Sequence, residues 1–412
     1  MSIRVLIGLV LVSAGVAPGQ ADQKVSKAQA KRWVQNAFFG KEKVAAEDRA
    51  RLMRCRPEDR KVVFAALESL KIKPSLKRVK GKRLELEAEA PEAKRKKVPL
   101  VIRLPRGYSG KKPVPVLFRF HGSGDTAAAF DRTNESSVFS QFLTVTPEIP
   151  SDDRMGWNQP GTFDMIDRIY RRLVREFNVD TDRVYLSGYS AGGGAACFVA
   201  EMWPHRFAGF FSMGRLHHAY HPNPKACMNV LRHVPGFFAV GLDDQKDRVD
   251  GYREAEAYYK EEGLPGEFRF TKRVGHSYQQ NLDKPALKYL AKKSRNAYPR
   301  SFDAIFYSYQ NRDKETLLRS RQYWLEAKRP APNGTVCRVT VEGNTIKIDA
   351  KELRTGAVLL NDHIVDLDQP VTVLLNGRKV HDGPVERSLE FLFGWFSENR
   401  DRRELFWNRI RF

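Results

Sequence analysis

Ser190 lies in Gly188-Tyr189-Ser190-Ala191-Gly192, a G-x-S-x-G pattern. The stretch before it, "RVYLSG", reads as a strand, and "SAGGGAACFVAEMW" reads as a helix. Between a strand and a helix this pattern makes a sharp turn that lifts the serine hydroxyl clear of the backbone. Glycines are needed where the two elements pass each other without room for a β-carbon. The same turn aims the Ala191 N–H and the helix N-terminus at any negative charge developing beside the serine. Ser190 is therefore the candidate nucleophile.

A serine hydroxyl is a weak nucleophile at neutral pH and needs an adjacent base held by a third group. With this turn the chain order is Ser, acid, His. His276, in "RFTKRVGHSYQQ", follows a strand and lies downstream of every candidate acid. The acid is expected just past "GFFAVG", in "GLDDQKDRVD". Asp244 is the first choice there, Asp247 the second and Asp243 the third, while Asp250 also competes. His121-Gly122-Ser123-Gly124 ends another apolar strand, so the Gly122 and Ser123 backbone amides can join Ala191 in an oxyanion hole. His121 precedes Ser190 and is read as fixing that loop. Tyr189, beside the nucleophile, and Trp157, in "SDDRMGWNQPG", are the expected substrate contacts. His217, His218 and His221 cluster in "GRLHHAYHP", but no carboxylate at ligand spacing joins them, so neither a metal nor a cofactor is expected.

The elements needed to position these groups follow from periodicity. "VPVLFRFHG", "FLTVTPEI", "RVYLSG", "FAGFFSMG", "GFFAVG" and "EFRFT" read as short apolar strands. Helical patterns alternate with them. In "FDMIDRIYRRLVREFN" the residues Met165, Ile166, Ile169, Leu173 and Val174 share one face. That alternation predicts an α/β fold with a mostly parallel sheet covered on both sides. "RLELEAEAP" and "KVPLVIRLPRGY" add two strands in front. Residues 22–80 read as a basic helical extension packed on the larger body, with Val62, Val63, Ala66, Leu67 and Leu70 on one face. The catalytic domain is expected over 81–299. From 300 to 412 the pattern alternates across Gly343-Asn344 and Asn376-Gly377, predicting a small, mostly antiparallel, sandwich-like β-domain.

At 412 residues with 42% hydrophobic composition, the chain is long enough for a large domain and a smaller one. Residues 1–21 read as a secretory signal. Arg4 starts it, an apolar core runs from Val5 to Ala17, and small residues Gly19 and Ala21 precede the cleavage point. That core is too short to span a bilayer. The expected localisation is secreted or periplasmic, with no transmembrane segment. Of the formal charge of +22, residues 22–112 hold +16, from 27 Lys and Arg against 11 Asp and Glu. Such a segment could meet an acidic polymer or cell surface. No nucleic-acid motif accompanies it, and no aromatic stripe. The four cysteines have no zinc spacing, and Cys197 reads as a buried thiol.

These residues together resemble the α/β-hydrolase superfamily. Within it, residues 97–297 are most similar to extracellular carboxylesterases such as feruloyl esterases, polyhydroxybutyrate depolymerases and dienelactone hydrolases. "LPRGY", "HGSG", "DTDRVYLSGYSAGG", the Gly241–Asp244 loop and "GHS" carry the resemblance. At Ser123 the loop departs from the residue some of these esterases carry. The resemblance implies an ester hydrolase working through an acyl-enzyme on Ser190. The short segment in the usual cap position favours a bulky ester, such as one on a polysaccharide or polymer. Two other functions fit less well. A prolyl-oligopeptidase-like peptidase lacks its β-propeller repeats here. A non-catalytic surface-binding protein would not need the Ser, Asp and His set.

Overall fold

The computed structural model describes residues 24–75, 83–133, 137–151, 156–218, 223–306, 308–311, 314–317, 320–328, 335–350 and 352–412. The expected signal at 1–21 and His221 lie outside these residues. Among the described residues no helix is long and apolar enough to cross a membrane. The chain forms two compact units that meet in sequence between Leu70 and Lys71.

The first unit is helical: α1 (Lys27–Phe39), α2 (Glu42–Met53) and α3 (Arg60–Glu68). Ser26 and Gln29 form a capping box that satisfies free amides at the start of α1. Trp33, Val34, Leu52, Val63, Phe64 and Leu67 are buried. On α3 the buried face differs from the expected one in a single respect: Phe64 is buried and Val62 is half-exposed. The larger ring takes the inward position because it removes more apolar surface from water.

The second unit is built on an eight-stranded sheet. Its strands are β1 (Arg83–Glu89), β2 (Lys97–Arg103), β3 (Val114–Phe120), β4 (Leu143–Pro147), β5 (Val179–Tyr189), β6 (Gly209–Met213), β7 (Gly236–Gly241) and β8 (Gly266–Thr271). Their order is β1-β2-β4-β3-β5-β6-β7-β8. The β1–β2 and β2–β4 pairs are antiparallel, and every pair from β4–β3 to β7–β8 is parallel. Strands buried on both faces should read as unbroken apolar runs, and every residue of β4, β6 and β7 is buried. The helices are α4 (Ala127–Arg132), α5 (Pro160–Glu176), α6 (Ala191–Met202), α7 (Pro224–Val230), α8 (Lys246–Glu261) and α9 (Asp283–Leu290). The five apolar residues expected on the inner face of α5 are all buried. On its outer face Arg168 pairs with Asp164 and Arg172 with Glu176, one turn apart. The α/β class and mostly parallel sheet thus follow from the alternation of short apolar strands with amphipathic helices.

The remaining strands are β9 (Ser301–Phe306), β10 (Ser308–Asn311), β11 (Lys314–Leu317), β12 (Arg321–Gln322), β13 (Leu325–Ala327), β14 (Thr335–Glu342), β15 (Thr345–Asp349), β16 (Gly356–Leu360), β17 (Val371–Leu375), β18 (Arg378–Gly383) and β19 (Asn408–Arg411). They form sheets ordered β12-β13-β16-β19 and β18-β17-β15-β14-β9, with a β10–β11 hairpin. All pairs are antiparallel except β15–β17. Asn376 and Gly377 both have positive φ, as the two-residue turn between β17 and β18 requires. A helix not foreseen in the sequence, α10 (Leu389–Asn399), joins them. Its apolar residues Leu392, Phe393, Trp395 and Phe396 are buried. Phe302 of β9 packs on Tyr323 and Trp324 of the β12–β13 turn, so the two larger sheets share a core.

A buried ion-pair network at Arg295 ties the β-rich part to the rest of this unit. Arg295, fully buried, places Nη2 2.7 Å from Asp401 and Nε 3.1 Å from Asp182. Within the β-rich part, Arg321 meets Glu404 through two hydrogen bonds of 2.8 and 2.9 Å. Removing one member of such a pair strands the other charge away from water. Asp401→Ala should therefore lower unfolding stability by about 3–5 kcal/mol. Denaturant titration of the variant checks this, and a loss below about 1 kcal/mol would contradict it.

Candidate active site

The backbone at Ser190 has φ 55 and ψ −122, a region that side-chain-bearing residues rarely enter. The turn is forced by close packing on both sides. A β-carbon added at Gly188 would lie 2.0 Å from the Gly192 carbonyl oxygen. One at Gly192 would lie 2.0 Å from the Phe120 carbonyl oxygen, and one at Gly193 2.5 Å from that of Met213. The Ser190 N–H donates to the Met213 carbonyl at 2.8 Å, and the Gly194 N–H closes the first helical turn onto the Ser190 carbonyl. All twelve residues of α6 are buried, so the strained turn cannot relax by moving the helix.

Parallel strands bring their C-terminal ends to one edge of the sheet, and three loops meet Ser190 there. The loop after β8 carries His276, whose Nε2 is 2.8 Å from Ser190 Oγ. Its Nδ1 is 2.7 Å from Asp244 Oδ2, on the loop between β7 and α8. Asp244 Oδ1 accepts from the Gln245 N–H at 2.7 Å and from Arg248 Nη1 at 2.9 Å. Burial alone would raise the Asp244 carboxyl. Its hydrogen bonds to His276, Gln245 and Arg248, with the His276 charge, outweigh that and hold it below the usual carboxylate range. Of the alternatives, Asp243 is exposed and Asp247 is exposed in the first turn of α8. With Asp244 ionised, the Nδ1–H donates to it and Nε2 is left to accept the Ser190 hydroxyl proton.

The third loop is His121–Gly124. A β-carbon on Gly122 would sit 3.5 Å from Ser190 Cβ, so the loop backbone runs beside Ser190. Gly124 has a φ of 80. His121 places Nδ1 2.9 Å from the Gly122 carbonyl and Nε2 3.4 Å from Glu148. Glu148 in turn accepts the Ala127 N–H at 2.6 Å, at the start of α4. Ala191 follows Ser190 at the start of α6, and the Gly122 backbone lies beside it.

Trp157 has a place different from the expected one. It is 2% exposed, and its Nε1–H donates to the His121 carbonyl at 3.0 Å. Its ring packs edge-on against Phe120 and His121. Buried there, it supports the loop through its ring and its indole N–H. Tyr189 stacks on His276 with ring centroids 5.3 Å apart and donates from its hydroxyl to the His276 carbonyl at 2.9 Å. Arg248, Glu148 and Gly214 escaped the sequence reading. Gly214 has a φ of 74 and would place a β-carbon 3.2 Å from His276 Cε1. Arg248 had a detectable signal, being four residues past Asp244 at the start of a helix.

Ser190 on a strand–turn–helix at the middle of a mostly parallel eight-stranded sheet, with acid and histidine on later strand ends, decides the fold. This is the α/β-hydrolase fold. No family model matches the chain. Over 151 residues it is 27% identical to a bifunctional acetylxylan esterase/xylanase of Neocallimastix patriciarum. That match takes in 35% of this chain and spans only 21% of the relative. Among solved structures, a thermostable esterase has a TM-score of 0.44 at 18% identity, covering 52% of this chain and 64% of that one. A ferulic acid esterase has a TM-score of 0.42 at 20% identity, covering 51% and 97%. These likenesses are distant, and the assignment of the α/β-hydrolase fold rests on the topology and turn of this chain.

The turn makes its own prediction. Gly192→Ala would drive a β-carbon into the Phe120 carbonyl, which is backbone and cannot swing aside. The variant should melt at least several degrees lower or accumulate insoluble. A melting temperature equal to that of the parent would contradict the packing described.

Proposed function

We propose that this chain is an exported serine hydrolase of carboxylic esters. The observation that carries the reading is the continuous relay Ser190 Oγ, His276 Nε2, His276 Nδ1, Asp244 Oδ2, with contacts of 2.8 and 2.7 Å. In this reading Ser190 Oγ attacks the ester carbonyl as its proton passes to His276 Nε2. The oxyanion is held by the Ala191 N–H with the Gly122 or Ser123 N–H. Charge developing there is met by fixed dipoles that need no rearrangement. His276 then protonates the leaving alkoxide, and the acyl group remains on Ser190. Water, deprotonated by the same Nε2, attacks the acyl-enzyme and restores the serine. Asp244 stays ionised throughout and stabilises the imidazolium.

Access supports a bulky substrate. Ser190 is partly exposed and His276 exposed, so a bulky alcohol can approach. The acetylxylan esterase likeness supports an ester carried on a polysaccharide. Lys24, Lys27, Lys31, Arg32, Lys41, Lys43, Arg49 and Lys61 of the first unit are exposed to solvent. In this proposal they concentrate the enzyme on an acidic polymer by long-range attraction.

Ser190→Ala should keep the melting temperature and lose ester hydrolysis by several orders of magnitude. Reaction with a fluorophosphonate probe should vanish with it. Asp244→Asn should slow hydrolysis by up to about 10⁴-fold, while Asp247→Asn stays within a few-fold of the parent. The reverse ranking would move the acid along the loop. Acetyl-xylan, feruloyl, short alkyl and polyester substrates, set against a prolyl amide, identify the bond cleaved.

Salt separates surface attraction from chemistry. The Debye length falls from about 10 Å at 0.1 M salt to about 3 Å at 1 M. Co-sedimentation with pectin should weaken steeply over that range, while hydrolysis of a small neutral ester stays constant. A chain lacking residues 22–80 should lose the salt-dependent binding. Equal binding by both chains would remove the role of the basic segment.

A further inference from the structure

Two turns along α6 from the nucleophile, Cys197 and Glu201 fall on the same helical face, four residues apart. The chain leaves β6, turns at Gly214 and returns past them with His217 and His218. Cys197, Glu201 and His218 are each at most 1% exposed. Cys197 Sγ lies 3.2 Å from Glu201 Oε1 and 3.3 Å from His218 Nδ1. His218 Nδ1 lies 3.4 Å from the same Oε1. A thiol, a carboxylate and an imidazole thus form a nearly equilateral triangle of donor atoms. The sequence reading sought a carboxylate among the histidines themselves and missed one supplied from the preceding helix.

We propose that Cys197, Glu201 and His218 form a site for one divalent transition-metal ion of the zinc type. A tetrahedron with metal–ligand bonds of ~2.0–2.3 Å has edges of about 3.3–3.7 Å, close to the three separations here. An ion can therefore seat just above the triangle with little movement of the side chains. The donors also select the metal. Thiolate and imidazole suit zinc or cobalt and disfavour calcium and magnesium, which take oxygen ligands. Charge balances as well: thiolate and carboxylate together neutralise a 2+ ion in a place where net charge would be costly. Binding displaces the thiol proton to solvent, and the remaining His218 proton resides on Nε2.

The surroundings fit a ligand shell. His217 Nδ1 lies 3.0 Å from Glu201 Oε2, orienting the carboxylate from its other oxygen. Its ring stacks on Phe198 at 3.9 Å. The Glu201 backbone carbonyl accepts from Gln322 Nε2 at 2.8 Å, which fixes the end of α6. A fifth of the His217 side chain is exposed, so the triangle lies one side chain from solvent. The filled site would clamp the nucleophile helix to the segment after β6.

The test uses the mature chain after chelator treatment, titrated with Co²⁺ alone and then with Zn²⁺. Expected are one Co²⁺ per chain, tetrahedral visible bands and a sulfur-to-cobalt charge-transfer band that Zn²⁺ abolishes. Zn²⁺ should also raise the melting temperature of the parent chain by several degrees. Cys197→Ser should lose the charge-transfer band, and His218→Gln should weaken Co²⁺ binding at least ~10-fold. The parent protein alone is sufficient to overturn the site. Absence of saturable Co²⁺ uptake would leave a hydrogen-bonded network only. A charge-transfer band that survives in Cys197→Ser would place the metal on another cysteine.

Discussion

The positive φ at Ser190 is the constraint on which the rest of this sheet edge depends. A residue with a β-carbon held there costs about 1–3 kcal/mol, and it persists only where its surroundings leave no alternative. The surroundings here are backbone rather than side chain. Gly192 lies against the Phe120 carbonyl, Gly193 against Met213, and Gly188 against Gly192 itself. Because those atoms belong to β3, β6 and β5, the strain is shared by the three central strands. The turn is therefore as rigid as the sheet, and the hydroxyl it raises has a fixed direction.

A fixed hydroxyl makes the positions of the other loops meaningful. His276 is held from three sides: by Asp244 at Nδ1, by the Tyr189 ring, and by the Tyr189 hydroxyl on its own carbonyl. Two residues on, Tyr278 donates to Asp283 and accepts from the buried guanidinium of Arg119 at 3.0 Å. Arg119 is packed between the rings of Phe130 and Phe139. The histidine loop is thus anchored to β3, the same strand that delivers His121–Gly124. One strand therefore supports the loops on both sides of Ser190.

What the sequence revealed, and what it hid, divides along the range of the interaction. G-x-S-x-G, the chain order of acid and histidine, and the glycine loop after β3 are local patterns. They were legible because each requires particular residue types within a few positions. Asp244 could not be separated from Asp243 and Asp247 by pattern alone. The difference is which carboxylate points at an imidazole 32 residues away. Trp157 was misread because an aromatic near the edge of a sheet can face outward or lie beneath a loop, and composition does not choose between them. The meeting of Glu201 with His217 and His218 crosses from α6 to the far side of β6. Helix α10 was missed although Leu389, Leu392, Phe393 and Phe396 have helical spacing; Phe391 and Trp395 widen its apolar face beyond a narrow stripe.

The largest non-local feature is how the β-rich part joins the hydrolase sheet. An apolar contact would bury surface at any of several rotations, since the hydrophobic effect has no direction. Gln322 of β12 instead donates from Nε2 to the Glu201 carbonyl at the end of α6 at 2.8 Å, a bond with a fixed direction. Arg295 is more restrictive still. It reaches Asp401 beyond α10, Asp182 and Thr181 in β5, and the His205 carbonyl after α6. Thr181 Oγ1 also donates to Asp401 at 2.7 Å, closing the network. Desolvating these charges offsets most of what their pairing returns, so their contribution lies less in stability than in selecting one register. Since β5 ends at Tyr189, the strand that meets this network at its start presents Ser190 at its finish.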